Sequence, residues 1–171
     1  MFLDICLLGI LLPAVFYDLK ERRIPNWLII SGWVLASIYY INLNGSCGLL
    51  FSVKGFITGI LLLIIPFVMG GIGAGDVKLL GLIGAFKGSS FAFGTFLAMA
   101  LWGGLMAIII LMLNHQLKTT LQGLGSAVML TLLRVDKFSN AVPKAELSKT
   151  YPYGLAIFLG VLTIYFKGWC W

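Results

Sequence analysis

Long apolar runs separated by short polar turns make up most of the chain, and their spacing predicts a set of membrane helices. The first run covers 5–17, extends to Phe2 and Asp18, and carries Pro13, a residue that kinks helices. It ends in the charged stretch Asp18-Leu19-Lys20-Glu21-Arg22-Arg23. Ile24-Pro25-Asn26-Trp27 restarts the chain, with Pro25 and Asn26 suited to a turn or helix start and Trp27 to a membrane interface. The second run, 27–41, and the third, 49–69, flank the uncharged turn Asn42 to Gly48 and read as a hairpin that leaves and returns. The fourth, 77–86, is short, since ten residues rise only about 15 Å as a helix. Gly81 and Gly84 within it permit close packing. The fifth run, 91–113, is long enough to span. Residues 117–133 are apolar with scattered polar positions and read as an amphipathic helix at the interface, a seventh span being the alternative. A polar stretch, 134–149, precedes the sixth run, 151–166. The expectation is an all-α polytopic membrane protein of about six transmembrane helices, with a short fourth helix and an interfacial helix before the last span.

Composition agrees with the pattern. Of 171 residues, 60% are hydrophobic and 11% charged, against roughly 25% charged in soluble domains. The mean hydropathy is +1.03. The net charge of +6 does not point to nucleic acid, because the lysines and arginines flank apolar runs, where they report topology. Nine of the 12 basic residues fall on one side of the predicted arrangement, with only Lys54, Lys87 and Lys167 opposite. That side is the cytoplasmic one by the positive-inside rule, and six spans then leave both termini outside. The chain reads as one membrane-embedded domain over 1–171, with no repeat and no linker. Cys6, Cys47 and Cys170 are far apart, and His115 has no ligand set near it, so neither a zinc site nor another metal or cofactor is expected.

The chemistry concentrates in two acids. Asp4 and Glu21 read as flanking charges, and Asp136 and Glu146 lie in the polar stretch. Asp18 follows the first run and Asp76 precedes the fourth, which puts both at the cytoplasmic edge at one depth. Gly70-Gly71-Ile72-Gly73-Ala74-Gly75 stands immediately before Asp76. A glycine-rich edge lets an extended substrate backbone approach an acid, and a positive φ at Gly75 would aim the carboxylate. Two close carboxylates share one proton, and the pair can activate water by general acid–base catalysis. The plain alternative is that each Asp caps a helix, Asp76 favouring the positive end of the fourth. Other readings are a small transporter or channel component, whose acids belong near mid-bilayer, and a non-enzymatic assembly subunit.

Gly73-Ala74-Gly75-Asp76 is a GxGD motif, and with Val77-Lys78-Leu79 it resembles the signature of the type IV prepilin peptidases, intramembrane aspartic proteases. Asp18 followed by Ile24-Pro25-Asn26 is similar to the first catalytic aspartate of that family with its D-x5-IPN pattern, and Pro152-Tyr153-Gly154 is similar to its PYG or PFG motif. The order of the three matches is the family's. The clustered CxxC cysteines of the larger, N-methylating members are absent, so the chain resembles the compact peptidase-only form of tight-adherence (Flp-type) pili. Leu155 stands where many relatives have a proline. The resemblance implies catalysis by Asp18 and Asp76 and motif or positioning roles for Gly73, Gly75, Lys78, Pro25, Asn26, Pro152, Tyr153 and Gly154. It implies a prepilin or pseudopilin precursor as substrate. In the family this has a short basic leader, cleavage after a glycine, and an apolar helix with Glu at the fifth mature position. It also implies the bacterial inner membrane, with lipid as the other partner. Lys78 is assigned to that Glu or to lipid headgroups. Neither the particular pilin nor the oligomeric state is legible.

Overall fold

The computed structural model describes residues 2–21, 23–113 and 153–166. The described residues form five helices: α1 Phe2–Glu21, α2 Asn26–Val68, α3 Ala74–Lys87, α4 Ser89–Leu113 and α5 Tyr153–Phe166. The chain divides into two compact units, Met1–Gly103 with Pro152–Trp171, and Gly104–Tyr151. The described residues of the second unit are the final turns of α4, and the first unit holds the rest. The amphipathic helix expected over 117–133, together with His115, Cys170 and Pro152, lies outside the described residues.

The all-α class stands, but the expected count of about six transmembrane helices is overturned. Two of the described helices, α2 and α4, are long and apolar enough to cross a membrane. The reasons are length and charge. The second and third apolar runs are the two arms of α2, Asn26–Val68, which are joined at a bend where Asn44 and Gly45 leave helical geometry. α3 and α5 have 14 residues each and rise about 21 Å, short of a bilayer's hydrocarbon of about 30 Å. α1 has 20 residues, but Asp4, Asp18, Lys20 and Glu21 lie within it.

The helix α2 is not straight. Asn44 and Gly45 leave helical geometry, Gly45 at φ 56° and ψ −134°, a conformation that glycine adopts without a Cβ clash. Beyond this bend the chain folds back. The rings of Tyr40 and Phe51 are 4.9 Å apart and those of Trp33 and Phe56 5.6 Å apart. In a straight helix residues 40 and 51 would be separated by about 16 Å along the axis.

The returning arm ends in the glycine run, which is built rather than loose. Gly70 has φ 77°, and its N–H donates to the carbonyl of Phe67, while the N–H of Gly71 donates to that of Pro66. This is a Schellman closure, in which glycine takes the left-handed position and the last carbonyls find donors. Gly73, extended at φ −76° and ψ 150°, is the N-cap of α3.

The core is α3. Residues 79–86 are all buried, Leu79, Leu80, Leu82, Ile83 and Phe86 completely. It packs chiefly on α2 and also touches α1 and α5. Glycines set the distance between α2 and α3: a Cβ on Gly84 would come 2.1 Å from the carbonyl oxygen of Gly55, and one on Gly59 2.4 Å from that of Leu80. Around this core the outer faces are apolar, with Ile30, Val34 and Ile38 on α2 and Phe93, Leu97 and Leu101 on α4 exposed at four-residue spacing. Such stripes suit hydrocarbon and not water.

Asp4 is more than a flanking charge. It forms an ion pair with Lys87 at the end of α3 and accepts the Tyr165 hydroxyl of α5 at 2.7 Å. The Lys87 ammonium lies 4.9 Å from the centre of the Tyr165 ring. The far end of α3 is thereby fastened to α1 and α5.

Candidate active site

Three chain segments converge where α3 begins. Asp18 occupies the last turn of α1. Ile24-Pro25-Asn26 joins α1 to α2, with Pro25 the N-cap of α2 at φ −65°, the value its ring enforces. Gly73 to Lys78 supplies the cap and first turns of α3. Asp18, Arg23, Ile24, Asn26, Gly73, Ala74, Gly75, Asp76 and Lys78 line one open pocket of about 270 Å³.

The motifs found in sequence touch one another through specific contacts. The Lys78 ammonium donates to the side-chain oxygen of Asn26 at 2.9 Å, across 52 residues of chain. A Cβ built on Gly75 would meet the Cβ and Cγ1 of Ile24, each at 3.2 Å. Gly75 is the second residue of α3, and positive φ among the described glycines occurs at Gly45, Gly70 and Gly88. Its use is therefore close approach to Ile24 and not a left-handed conformation.

The two acids have different surroundings. Asp18 is partly exposed, and its Oδ2 accepts the backbone N–H of Gly154 at 2.8 Å. Gly154 is the second residue of α5, where backbone N–H groups have no acceptor within the helix. Tyr153, half-buried, is the first residue of α5. Asp76 is 6% exposed, and its buried Oδ1 has no hydrogen-bond partner among the described residues. Burial pushes the Asp76 carboxyl up to about 7, the negative charge of Asp18 adds to the rise, and a backbone hydrogen bond from Gly73 opposes it. The two carboxyls are thus within electrostatic reach.

Of the candidate site residues, Asp18, Asn26, Gly73, Gly75, Asp76 and Lys78 line this pocket, Pro25 stands between two of its lining residues, Ile24 and Asn26, and Gly154 bonds to Asp18. Sequence marks Arg23 only as a topology signal, yet it lines the wall. Its position within Asp-x5-Ile-Pro-Asn is the available clue. Contact of Gly154 with Asp18 spans 136 residues and leaves no local trace. Among the described residues no three His, Cys, Asp or Glu side chains gather as metal ligands.

Such a site offers one buried acid with a raised proton affinity, a second acid held by a backbone donor, and an open side bordered by two cations. That set can move a proton onto one reacting atom and off another. A family model described as the type IV leader peptidase family matches residues 5–111, which include both acids, Asn26 and Lys78 but not Gly154. Nothing matches among curated proteins or among solved structures.

Proposed function

Because the chain belongs to the type IV leader peptidase family, and is accordingly a protein of the bacterial inner membrane, we propose that it removes the short basic leader of a prepilin or pseudopilin. Asp18 and Asp76 do the hydrolysis, with no metal, no cofactor and no covalent intermediate. The observation that carries this reading is the convergence of Asp18 and Asp76 on one open pocket, Asp76 nearly buried and its carboxyl raised to about 7. Near neutral pH such a pair holds a single proton. The ionised member takes a proton from water as the oxygen attacks the scissile carbonyl carbon. The protonated member gives its proton to the carbonyl oxygen. When the tetrahedral diol collapses, the first acid returns a proton to the departing amine and the second recovers one from the hydroxyl.

The substrate's apolar helix lies in the bilayer beside the apolar faces of α2 and α4, and the scissile bond reaches the pocket at the cytoplasmic edge. The glycine cap of α3 leaves room for an extended backbone next to Asp76. Arg23 and Lys78 repel a basic leader, so anionic lipid is the element that holds leader and enzyme together. Lys78, kept at the rim by Asn26, faces a substrate carboxylate or the lipid headgroups.

The test is cleavage in a bilayer. The full chain, reconstituted with a precursor that has a basic leader, a glycine and an apolar helix, is expected to give a product whose mass places the cut directly after that glycine. No shortened product from such precursors would overturn the reading.

A further inference from the structure

The differences between the two acids go further than pairing requires. Asp18 receives the N–H of Gly154 at 2.8 Å, from the first turn of α5, where the helix dipole is positive. A carboxylate that accepts such a donor is stabilised as the anion. The fit is tight: a Cβ on Gly154 would stand 2.6 Å from Asp18 Oδ2 and 3.0 Å from Cγ. Any side chain at position 154 therefore displaces the donor from the acid or the acid from the pocket.

Asp76 has the opposite surroundings. It is 6% exposed, and its Oδ1 is buried with no partner among the described residues. An ionised carboxylate there would carry a desolvated, unsatisfied oxygen, whereas the neutral acid loses far less. Charged groups face the pair from each segment that lines the pocket: Asp18 from α1, Arg23 from the connection to α2, and Lys78 from α3, its ammonium engaged by Asn26. Both cations are exposed, so solvent screens them, and they do not relieve the burial of Asp76.

Resting on the peptidase reading, we propose that Asp76 carries the proton of the pair and is the general acid, that Asp18 is the general base, and that Gly154 is the positioning residue that fixes this polarity. Asp18 removes a proton from water as the oxygen bonds to the carbonyl carbon, and Asp76 gives its proton to the carbonyl oxygen. On collapse the C–N bond breaks, the proton on Asp18 passes to the amine, and Asp76 recovers a proton from the diol. Both acids end as they began. The polarity also explains why Gly154, so distant in sequence, belongs to the site: at that position only a residue without a Cβ lets α5 bring an N–H onto Asp18.

The proton can be located without substrate. Infrared difference spectra of the full chain in lipid, at about pH 6, where exposed carboxylates are ionised, are expected to show one protonated carboxyl band. It is expected to persist in Asp18→Asn, with its titration moved to lower pH, and to vanish in Asp76→Asn. In Gly154→Ala the acidic limb of the cleavage-rate profile is expected to move to higher pH as Asp18 loses its donor, while the alkaline limb stays. If Gly154→Ala does not fold, the spectra of the two Asn variants decide alone. A band lost in Asp18→Asn and kept in Asp76→Asn, or no protonated band in the unaltered protein, would overturn the assignment even if cleavage is observed. A band on Asp76 in a protein that cleaves no precursor would instead overturn the roles through the reading they rest on.

Discussion

A carboxyl as buried as that of Asp76 ties folding to pH. Its value is about 7 in the folded chain, against about 3.9 in an unfolded one. The folded state therefore binds this proton more tightly. The sign follows from linkage: the contribution is most favourable below about pH 4 and is lost as pH rises through about 7. Asp76→Asn removes the titration. At about pH 8 the variant is expected to be more stable than the parent by on the order of 1–3 kcal/mol, and the gain is expected to shrink toward pH 5. Unfolding from lipid or detergent at the two pH values measures it; equal gains at both would show that Asp76 is ionised throughout. The acid itself was legible, because a carboxylate beside a glycine run at a membrane edge is unusual. The difference from Asp18 was not, because the donor to Asp18 comes from α5, which the GxGD segment does not contain.

The contact between α2 and α3 is a glycine interface, and its two sides weigh differently. Gly84 faces backbone, since an added Cβ would be 2.1 Å from the Gly55 carbonyl oxygen. Gly81 faces softer surroundings, Ile60 Cγ1 at 3.0 Å and the Phe56 carbonyl oxygen at 3.2 Å. Gly84→Ala must drive two helices apart and is expected to cost more than about 3 kcal/mol, whereas Gly81→Ala costs about 1–2 kcal/mol as side chains adjust. The folded fraction in a denaturant series separates them, and equal losses would contradict the interface. Gly81 and Gly84 were readable as packing residues from their spacing. Their partners Gly55 and Gly59 were not, because small residues four apart in an apolar run have many uses. The fold-back of α2 at Asn44 and Gly45 was legible, because an uncharged turn rich in Asn and Gly separates two apolar runs there.

Taken as a unit, the first part of the chain holds α3 at both ends. At one end the pocket gathers Asp18, Asp76, Asn26 and Lys78, with Gly154 bonded to Asp18; at the other Asp4, Lys87 and Tyr165 join α1, α3 and α5. Asp4, a flanking charge by sequence, fastens the far end, because a contact between positions 4, 87 and 165 has no local signature. Membrane character was legible from composition and appears as apolar stripes on α2 and α4. The number of crossings was not, since short buried helices and long crossing ones have the same hydropathy. The central claim is that Asp18 and Asp76 together cut a peptide bond, and single-turnover cleavage of a prepilin-type precursor in one bilayer, by the parent chain and by Asp18→Asn and Asp76→Asn, tests it most directly. General acid and base groups each contribute about 10²–10⁴-fold, so each variant is expected to lose at least about 100-fold in rate while it inserts and stays folded. A rate within a few-fold of the parent in either variant would contradict the account.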